Sequence, residues 1–430
     1  MIEVTKSREA AYKILYKVFS ENAFVNLSQK NEISKLDKKE DKALCHEIVF
    51  GVLQNIFYLD FVISCFSKIK LKKLSLPVLT ILRISLYQLY FLEKIPQSAA
   101  VNEGVLLSKK YAYKSSSFVN AVLRASSEKE KVFSKMKNLT YKDKISIKYS
   151  VPLWMIDIFI NDYGKDNAEK ICKSFSIRKR NTVRINSIKN NITGFVNAVS
   201  ELPFSAFFDI DENTPERIKN GDFHVQGLSS QLCVDVFNPK ENQTVLDACS
   251  APGGKSFTSA QYMKNKGEIF SCDVFEHKIQ LIKNGASNLN IEIIKAVKKD
   301  MSVFYEDYVN KFDKVLCDVP CSGFGIINKK PDIIFKKRES VDEIIKLSEN
   351  ILENCSYYVK QGGELVFSTC TLNKEENDNA VKRFIEKHNE FIVLPIKRYN
   401  YENFIYGEWG LTILPDECFD GFFISKMIKR

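Results

Sequence analysis

The chain has 430 residues with 45% hydrophobic and 27% charged content, enough for two or three domains with cores of their own. Its net charge of +10 favours a polyanionic partner such as nucleic acid. No apolar run reaches the roughly 20 residues that a membrane-spanning helix needs, and eleven scattered cysteines with no CxxC pair and four separated histidines argue against structural zinc.

In chain order, EAAYKILYKVF opens with apolar residues at helical spacing, and a second helix is expected from Ala43 to Leu59, with His46 as a packing residue. In LPVLTILRISLYQLYFL, Pro77 suits a first helical turn. SAAVNEGVLLSKKYA and SSFVNAVLRAS begin on Ser98 and Ser116, both suited to N-capping. Residues 1–127 therefore predict an all-α bundle, and the charged stretch 128–150 a connecting segment that is helical in part. Residues 151–224 predict a small α+β module, with the amphipathic helix PLWMIDIFINDYG and a strand-like SIRKRNTVRINSI carrying Arg178, Lys179, Arg180 and Arg184. From 225 to 430 strand and helix patterns alternate through TVLDAC, EIFSCD, IEIIKAVKKD, KFDKVLCDVP and ELVFSTC, with a turn at Gly362-Gly363 and a closing strand GFFISKMIK. That alternation predicts a parallel, doubly wound α/β sheet with ligands at the strand carboxyl ends. The N-terminus carries acid and lacks an unbroken apolar core, so no signal peptide is expected, and the thiols fit a reducing, cytoplasmic setting.

The chemistry is concentrated in three turns. In VLDACSAPGGK, from Val245 to Lys255, an apolar run ends on an aspartate and passes through Cys249, Ser250, Ala251, Pro252, Gly253 and Gly254 into helical sequence. Adjacent glycines let a ligand approach the backbone, and the following helix offers its positive end. The pattern is neither GxGxxG nor GxxxxGK[ST], so neither a dinucleotide fingerprint nor a P-loop is indicated. Asp273 ends the next strand, where a carboxylate can hold two ribose hydroxyls, and Asp300 ends the third. A strand-terminal aspartate also serves as a cap, so each alone is ambiguous. Cys321 in DVPCSG and Cys370 in FSTCT each end an apolar strand at the edge where α/β enzymes do chemistry, although a lone cysteine is more often packing. Lys255 or a helix N-terminus can lower a thiol's pKa, and a disulfide between the two is the competing interpretation. Asp318 lies three residues before Cys321 and is expected to face the same site.

Together DACSAPGGKS, DVPCSGFGIINKKPDI and STCTLNKEEN resemble the motifs of the RNA 5-methylcytosine methyltransferases, and LPDECFDGFFISKMIK resembles that family's closing strand. The N-terminal helices, with SAAVNEGV and FVNAVLR, resemble the NusB-like RNA-binding domain; the two joined are the layout of the family's small-subunit ribosomal RNA enzymes. The resemblance covers almost the whole chain, is most specific from Val225 to Asn377, and is weak from Glu128 to Ser150. Gly227 departs from it, where the family often has an acidic residue, as does Ser250, where alanine is usual.

The resemblance implies a multidomain protein with a NusB-like bundle, a small α+β RNA-binding module and a Rossmann-like catalytic domain over 225–430. It further implies S-adenosylmethionine as methyl donor, held by Cys249 to Lys255, with Asp273 at the ribose, Asp300 at the adenine and Asp318 near both cofactor and base. Cys370 takes the place of the nucleophile, Cys321 that of the second cysteine that helps release product, and Lys255 can join Asp318 in stabilising charge on the base. The expected substrate is small-subunit (16S) ribosomal RNA, with no membrane and no metal involved and the protein a monomer. Transfer RNA or large-subunit rRNA is the alternative substrate, and a non-catalytic NusB-like antitermination factor the alternative of another class. A DNA cytosine methyltransferase would instead use the cysteine that follows proline. Lys329, Lys330, Lys336, Lys337 and Arg338 join the Arg178–Arg184 cluster as candidate phosphate contacts, against the plainer interpretation of a solvated charged surface.

Overall fold

The computed structural model describes residues 4–21, 31–177, 179–189, 199, 201–211 and 213–430. They form two compact units, Met1–Ser176 with Ile327–Phe335, and Ile177–Ile326 with Lys336–Arg430.

The first unit is helical among its described residues. Its centre is the helix Leu76–Phe91, where Ile81, Leu82, Ile84 and Leu86 are fully buried and Pro77 occupies the first turn, where a missing N–H costs nothing. The helices Lys6–Glu21, Lys39–Gln54, Ile56–Phe66, Gln97–Tyr111 and Ser116–Ala125 pack around it. Three local expectations are corrected. The helix expected from Ala43 to Leu59 is two helices bent by 77°. Asn55 sits at the break with φ −118° and ψ 18°, and its side-chain amide and its backbone N–H both donate to the carbonyl of Gly51, at 2.8 and 3.1 Å, which closes the first helix locally. Neither Ser98 nor Ser116 is an N-cap: the helices start at Gln97 after Pro96 and at Ser116 after Ser115, and the Ser116 hydroxyl donates backwards to Tyr113. The side chain that does cap is Thr140, which accepts from the N–H of Asp143. It opens the second of two helices, Lys129–Lys137 and Tyr141–Tyr149, that fill the connecting segment. The helical segment Leu153–Ser174, placed with the α+β module from sequence and broken at Gly164, groups with this unit: it buries Met155, Ile156 and Phe159, and its Lys165 carbonyl accepts from the Tyr141 hydroxyl at 3.2 Å. His46 is exposed and stacks on Phe50 with ring centroids 4.5 Å apart, so it makes a surface ring contact and is not a core packing residue.

The second unit opens with a small antiparallel sheet in the order β2-β1-β3, made of β1 (Thr182–Ile185), β2 (Ser205–Phe207) and β3 (Phe223–Val225). Next come β4 (Thr244–Asp247), β5 (Glu268–Asp273), β6 (Ile294–Lys298), β7 (Phe312–Asp318) and β8 (Val359–Thr369), mutually parallel in the order β8-β7-β4-β5-β6. The chain runs outward from β4 to β6 and then returns to the other side of β4. The strand order therefore reverses between β4 and β7, where open α/β sheets bind ligands. Alternate residues enter opposite cores: Val245, Leu316 and Val366 join one cluster, and Leu246, Val315, Cys317, Leu365 and Phe367 the other. A sheet buried on both faces needs such continuous apolar runs.

Beyond β8 the sheet is antiparallel, which the alternation of strands and helices does not anticipate. The closing strand β12 (Phe422–Lys429) pairs antiparallel with β8, and the three-residue strands β9 (Phe391–Val393), β10 (Phe404–Tyr406) and β11 (Leu411–Ile413) complete this edge. Gly362 and Gly363 lie inside β8 as an irregularity, Phe312 pairing with Val359 and Lys314 with Glu364.

Two glycines bring the start of β12 against the turn after β7. The N–H of Gly421 donates to the carbonyl of Gly325 at 2.9 Å, and the N–H of Gly325 donates to the carbonyl of Cys370 at 3.0 Å. A Cβ on Gly325 would meet the Gly421 carbonyl oxygen at 2.0 Å. Gly325→Ala is expected to lower unfolding free energy by about 1–3 kcal/mol, the cost of overpacking a closed contact, read as a lower urea midpoint. An unchanged midpoint would mean that the two turns part freely.

Candidate active site

The glycine loop closes on itself at the end of β4. The N–H of Ser250 donates to the carbonyl of Cys272 and that of Gly253 to the carbonyl of Ser250, both at 2.8 Å. Gly253, with φ +110°, delivers the chain into the helix Gly254–Tyr262, and the Ala251–Pro252 bond is cis. At Gly254 an added Cβ would meet nothing nearer than Gln226, at 3.5 Å. That is ordinary van der Waals contact with one side chain, at the turn where the positive end of the helix begins. Burial pushes the Cys249 thiol well above its usual range.

The strand-terminal aspartates differ from one another. Asp247, 2% exposed, accepts from the Ser256 hydroxyl at 2.7 Å through one oxygen, while its other oxygen is buried with no partner among the described residues. Asp273 accepts the N–H of Phe275 at 3.1 Å and has Lys278 at 3.4 Å. Asp300 stands two residues beyond β6, exposed, with one oxygen accepting both the N–H and the hydroxyl of Ser302, at 2.9 and 2.7 Å. One oxygen of Asp300 is therefore engaged in a local turn.

Across the switch point, Lys255 in the first turn of the helix Gly254–Tyr262 meets Asp318 at the end of β7. Their Nζ and Oδ2 are 2.6 Å apart, and the other Asp318 oxygen accepts from the Ser368 hydroxyl at 2.8 Å. Burial opposes the charge on Lys255, but the carboxylates of Asp318 and Asp247 outweigh it and hold the ammonium above its ordinary range. Asp318 bonds to these side chains rather than capping a turn.

Cys321 and Cys370, partly buried thiols not joined by a disulfide, meet with sulfurs 3.3 Å apart. The contact with Cys370, followed by burial, pushes the Cys321 thiol well up. The turns that carry them share buried polar side chains, including Ser322, Thr371, Glu376 and Asn377. Sequence reasoning passed over these residues and Ser368. For Ser368 a signal existed, since strand alternation places it on the same face as Cys370; the polar run after Cys370 carries no periodicity that separates a buried glutamate from an exposed one.

The basic candidates divide. Lys179 is buried, donating to the carbonyl of Phe419 with Asp420 at 3.5 Å. Arg184 is 2% exposed, bonded to Gln261 at 2.8 Å and to the carbonyl of Pro203. Both are corrected from phosphate contacts to internal braces. Lys336 is half-buried and donates to the carbonyl of Ser322 at 2.8 Å. Arg180, Lys329, Lys330, Lys337 and Arg338 are exposed, with the Arg180 guanidinium 3.6 Å over the ring of Phe207. Arg178 lies outside the described residues.

The family model described as 16S rRNA methyltransferase RsmB/F matches residues 234–428, and the NusB family model matches residues 5–128. The chain is 36% identical to the Bacillus subtilis (strain 168) protein named Probable ribosomal RNA small subunit methyltransferase B, over 99% of both chains. It is 28% identical to Ribosomal RNA small subunit methyltransferase B of Proteus mirabilis (strain HI4320), over 82% of this chain and 85% of that one. Among solved structures, PH0851 superposes with a TM-score of 0.78 at 24% identity over the whole of both chains. NSun6 from Pyrococcus horikoshii with SFG gives 0.54 at 19% identity over 65% of this chain and 98% of that one. These two establish the shared fold.

Burial pushes the Asp247 carboxyl up to about 6, with the Ser256 hydroxyl opposing it. A carboxyl that titrates higher when folded binds its proton more tightly in the native state. Its stabilising contribution is complete below about pH 3.9 and is lost as pH rises through about 6. The ligand-free protein is expected to lose roughly 3 kcal/mol from this group between about pH 4 and pH 8. Asp247→Asn cannot ionise, so its urea midpoint relative to wild type should rise from mildly acidic to alkaline pH. Parallel pH profiles for the two proteins would show that another group titrates.

Proposed function

This chain belongs to the ribosomal RNA small subunit methyltransferase B family of S-adenosylmethionine-dependent 16S rRNA cytosine-C5 methyltransferases, and we propose that it works through a covalent adduct between Cys370 and the target cytosine. The observation that carries this reading is the pair of thiols 3.3 Å apart, not joined by a disulfide, just beyond the carboxyl ends of two neighbouring parallel strands.

The cofactor pocket is assigned on chemical fit. The unpartnered oxygen of Asp247, the helix N-terminus at Gly254 and the strand-end carboxylate of Asp273 suit a ligand with a charged amino-acid end and a ribose diol. Cys249 to Lys255 would line it, with Asp300 at its far side. Bound there, S-adenosylmethionine supplies an electrophilic methyl group.

Carbon 5 of cytosine is a weak nucleophile, and the enzyme's residues must make it a strong one. The Cys370 thiolate adds to carbon 6, breaking the 5,6 double bond and placing the electron pair at carbon 5. Asp318, oriented by Lys255 and Ser368, faces the N3 and N4 edge and stabilises the charge that develops there. After methylation, carbon 5 loses its proton, the double bond re-forms and the bond from Cys370 to carbon 6 breaks; Cys321 assists this release. Because a base pair stacks both carbons inside the helix, the target is unpaired or flipped out. Arg180, Lys337 and Arg338 are the candidates on the second unit to contact phosphates, and the NusB-like helices provide a further rRNA-docking surface.

An RNA carrying 5-fluorocytosine at the target cannot lose a proton from carbon 5 and so traps the adduct. Cys370→Ala should abolish trapping and turnover, whereas Cys321→Ala should accumulate adduct on ordinary RNA. The reverse pattern would move the nucleophile to Cys321. Bisulfite sequencing of 16S rRNA with and without the protein identifies the modified position, and no change in any small-subunit cytosine would sink the assigned substrate.

A further inference from the structure

One buried carboxylate grips the turns behind both thiols. Glu376 is 1% exposed, and one of its oxygens accepts the backbone N–H of Ser322 at 2.6 Å. The other accepts the Ser322 hydroxyl at 2.6 Å and the Asn373 amide at 3.0 Å, with the Thr371 hydroxyl at 3.5 Å. The hydroxyls of Ser322 and Thr371 also meet each other at 2.5 Å. Asn377 holds the second turn from within the same segment, accepting the Thr369 hydroxyl at 2.6 Å and donating to the Thr371 carbonyl at 3.0 Å. Ser322 directly follows Cys321 and Thr371 directly follows Cys370. The carboxylate thus binds the neighbour of each sulfur.

We propose that Glu376 is a positioning residue for methyl transfer, setting the separation and orientation of the Cys321 and Cys370 sulfurs through Ser322 and Thr371. It touches neither base nor cofactor. Burying a carboxylate is costly, and burial does push the Glu376 carboxyl up. Two apolar side chains would close a turn at lower cost, but apolar contacts are non-directional and cannot fix two sulfurs at a set distance. The inference rests on the reading of these thiols as nucleophile and release partner.

Glutamine is nearly isosteric yet cannot reproduce the grip. Hydroxyls rotate to suit either partner, but the Ser322 backbone N–H and the Asn373 amide N–H are fixed donors on opposite carboxylate oxygens. An amide NH₂ in either place sets N–H against N–H. Asn373 cannot simply turn over, because its own oxygen accepts the N–H of Glu375 at 3.3 Å.

Two measurements on the full-length protein separate this inference from the mechanism beneath it. In the first, without RNA, diamide oxidises the two thiols: each cysteine loses one proton and one electron, diamide becomes the hydrazine, and mass spectrometry follows the Cys321–Cys370 disulfide. Wild type should cross-link rapidly and E376Q slowly. In the second, 5-fluorocytosine RNA and S-adenosylmethionine follow adduct formation, which E376Q should slow by roughly 10²-fold, the penalty of about 1 Å of misplacement. RNA KM and S-adenosylmethionine affinity should be retained. E375Q, at the exposed neighbour, should match wild type in both. S322A, which keeps the backbone N–H and loses the hydroxyl, should fall between, and its effect should not add to that of E376Q. Wild-type rates for E376Q, or rate losses that merely follow a loss of folded protein while S322A behaves as wild type, would overturn the proposal. Methylation by wild type with no trappable adduct would overturn the thiol mechanism instead, and a disulfide rate unchanged by E376Q would reject the positioning role whatever the mechanism.

Discussion

The site is organised around the ion pair between Lys255 and Asp318. It spans the point where the sheet's strand order reverses, joining the first turn of the helix after β4 to the end of β7. Taking two charges out of water costs several kcal/mol per ion, and their attraction offsets this only when the remaining hydrogen-bonding capacity is satisfied. Here it is: Ser368 donates to the second Asp318 oxygen, Ser230 lies 3.4 Å from the ammonium, and the buried Asp247 adds negative charge nearby. The pair thereby ties the glycine loop to the two strands that lead into the cysteines.

That arrangement explains why the catalytic half was largely legible in the sequence. A parallel sheet writes its ligand edge into the chain as apolar runs ending in small, acidic or thiol residues, so Asp247, Asp273, Asp318 and Cys370 announce themselves by position. Asp300 shows where this reasoning thins. A carboxylate that caps its own turn and one reserved for a ligand look the same in one dimension, and Ser302 holds one of its oxygens.

The failures share one physical cause. Lys179 and Arg184 sit in a run of cations that reads as a solvated or RNA-facing surface, yet both are buried because acceptors from remote segments reach them: the carbonyl of Phe419 for the lysine, Gln261 for the arginine. At the Asn55 break a side-chain amide joins its own backbone N–H on one helical carbonyl, and the displaced caps at Ser98 and Ser116 depend on where the preceding turn begins. Local propensity states which bonds a residue can make; tertiary structure decides which it does make.

Two kinds of force divide the labour in the catalytic unit. On either face of the sheet, alternating residues of β4, β7 and β8 fill two apolar clusters, which fix the strands as a layer but specify little about the direction of any one side chain. At the carboxyl edge the apolar contacts give way to directional bonds over a few residues, from Ser256 on Asp247, through Lys255 and Ser368 on Asp318, to the polar side chains behind the cysteines. Methyl transfer to one chosen atom needs groups placed to fractions of an ångström, and only directional bonds supply that. The buried charges at this edge are therefore the cost of accuracy, carried where the hydrophobic core leaves the strand ends free to be aimed.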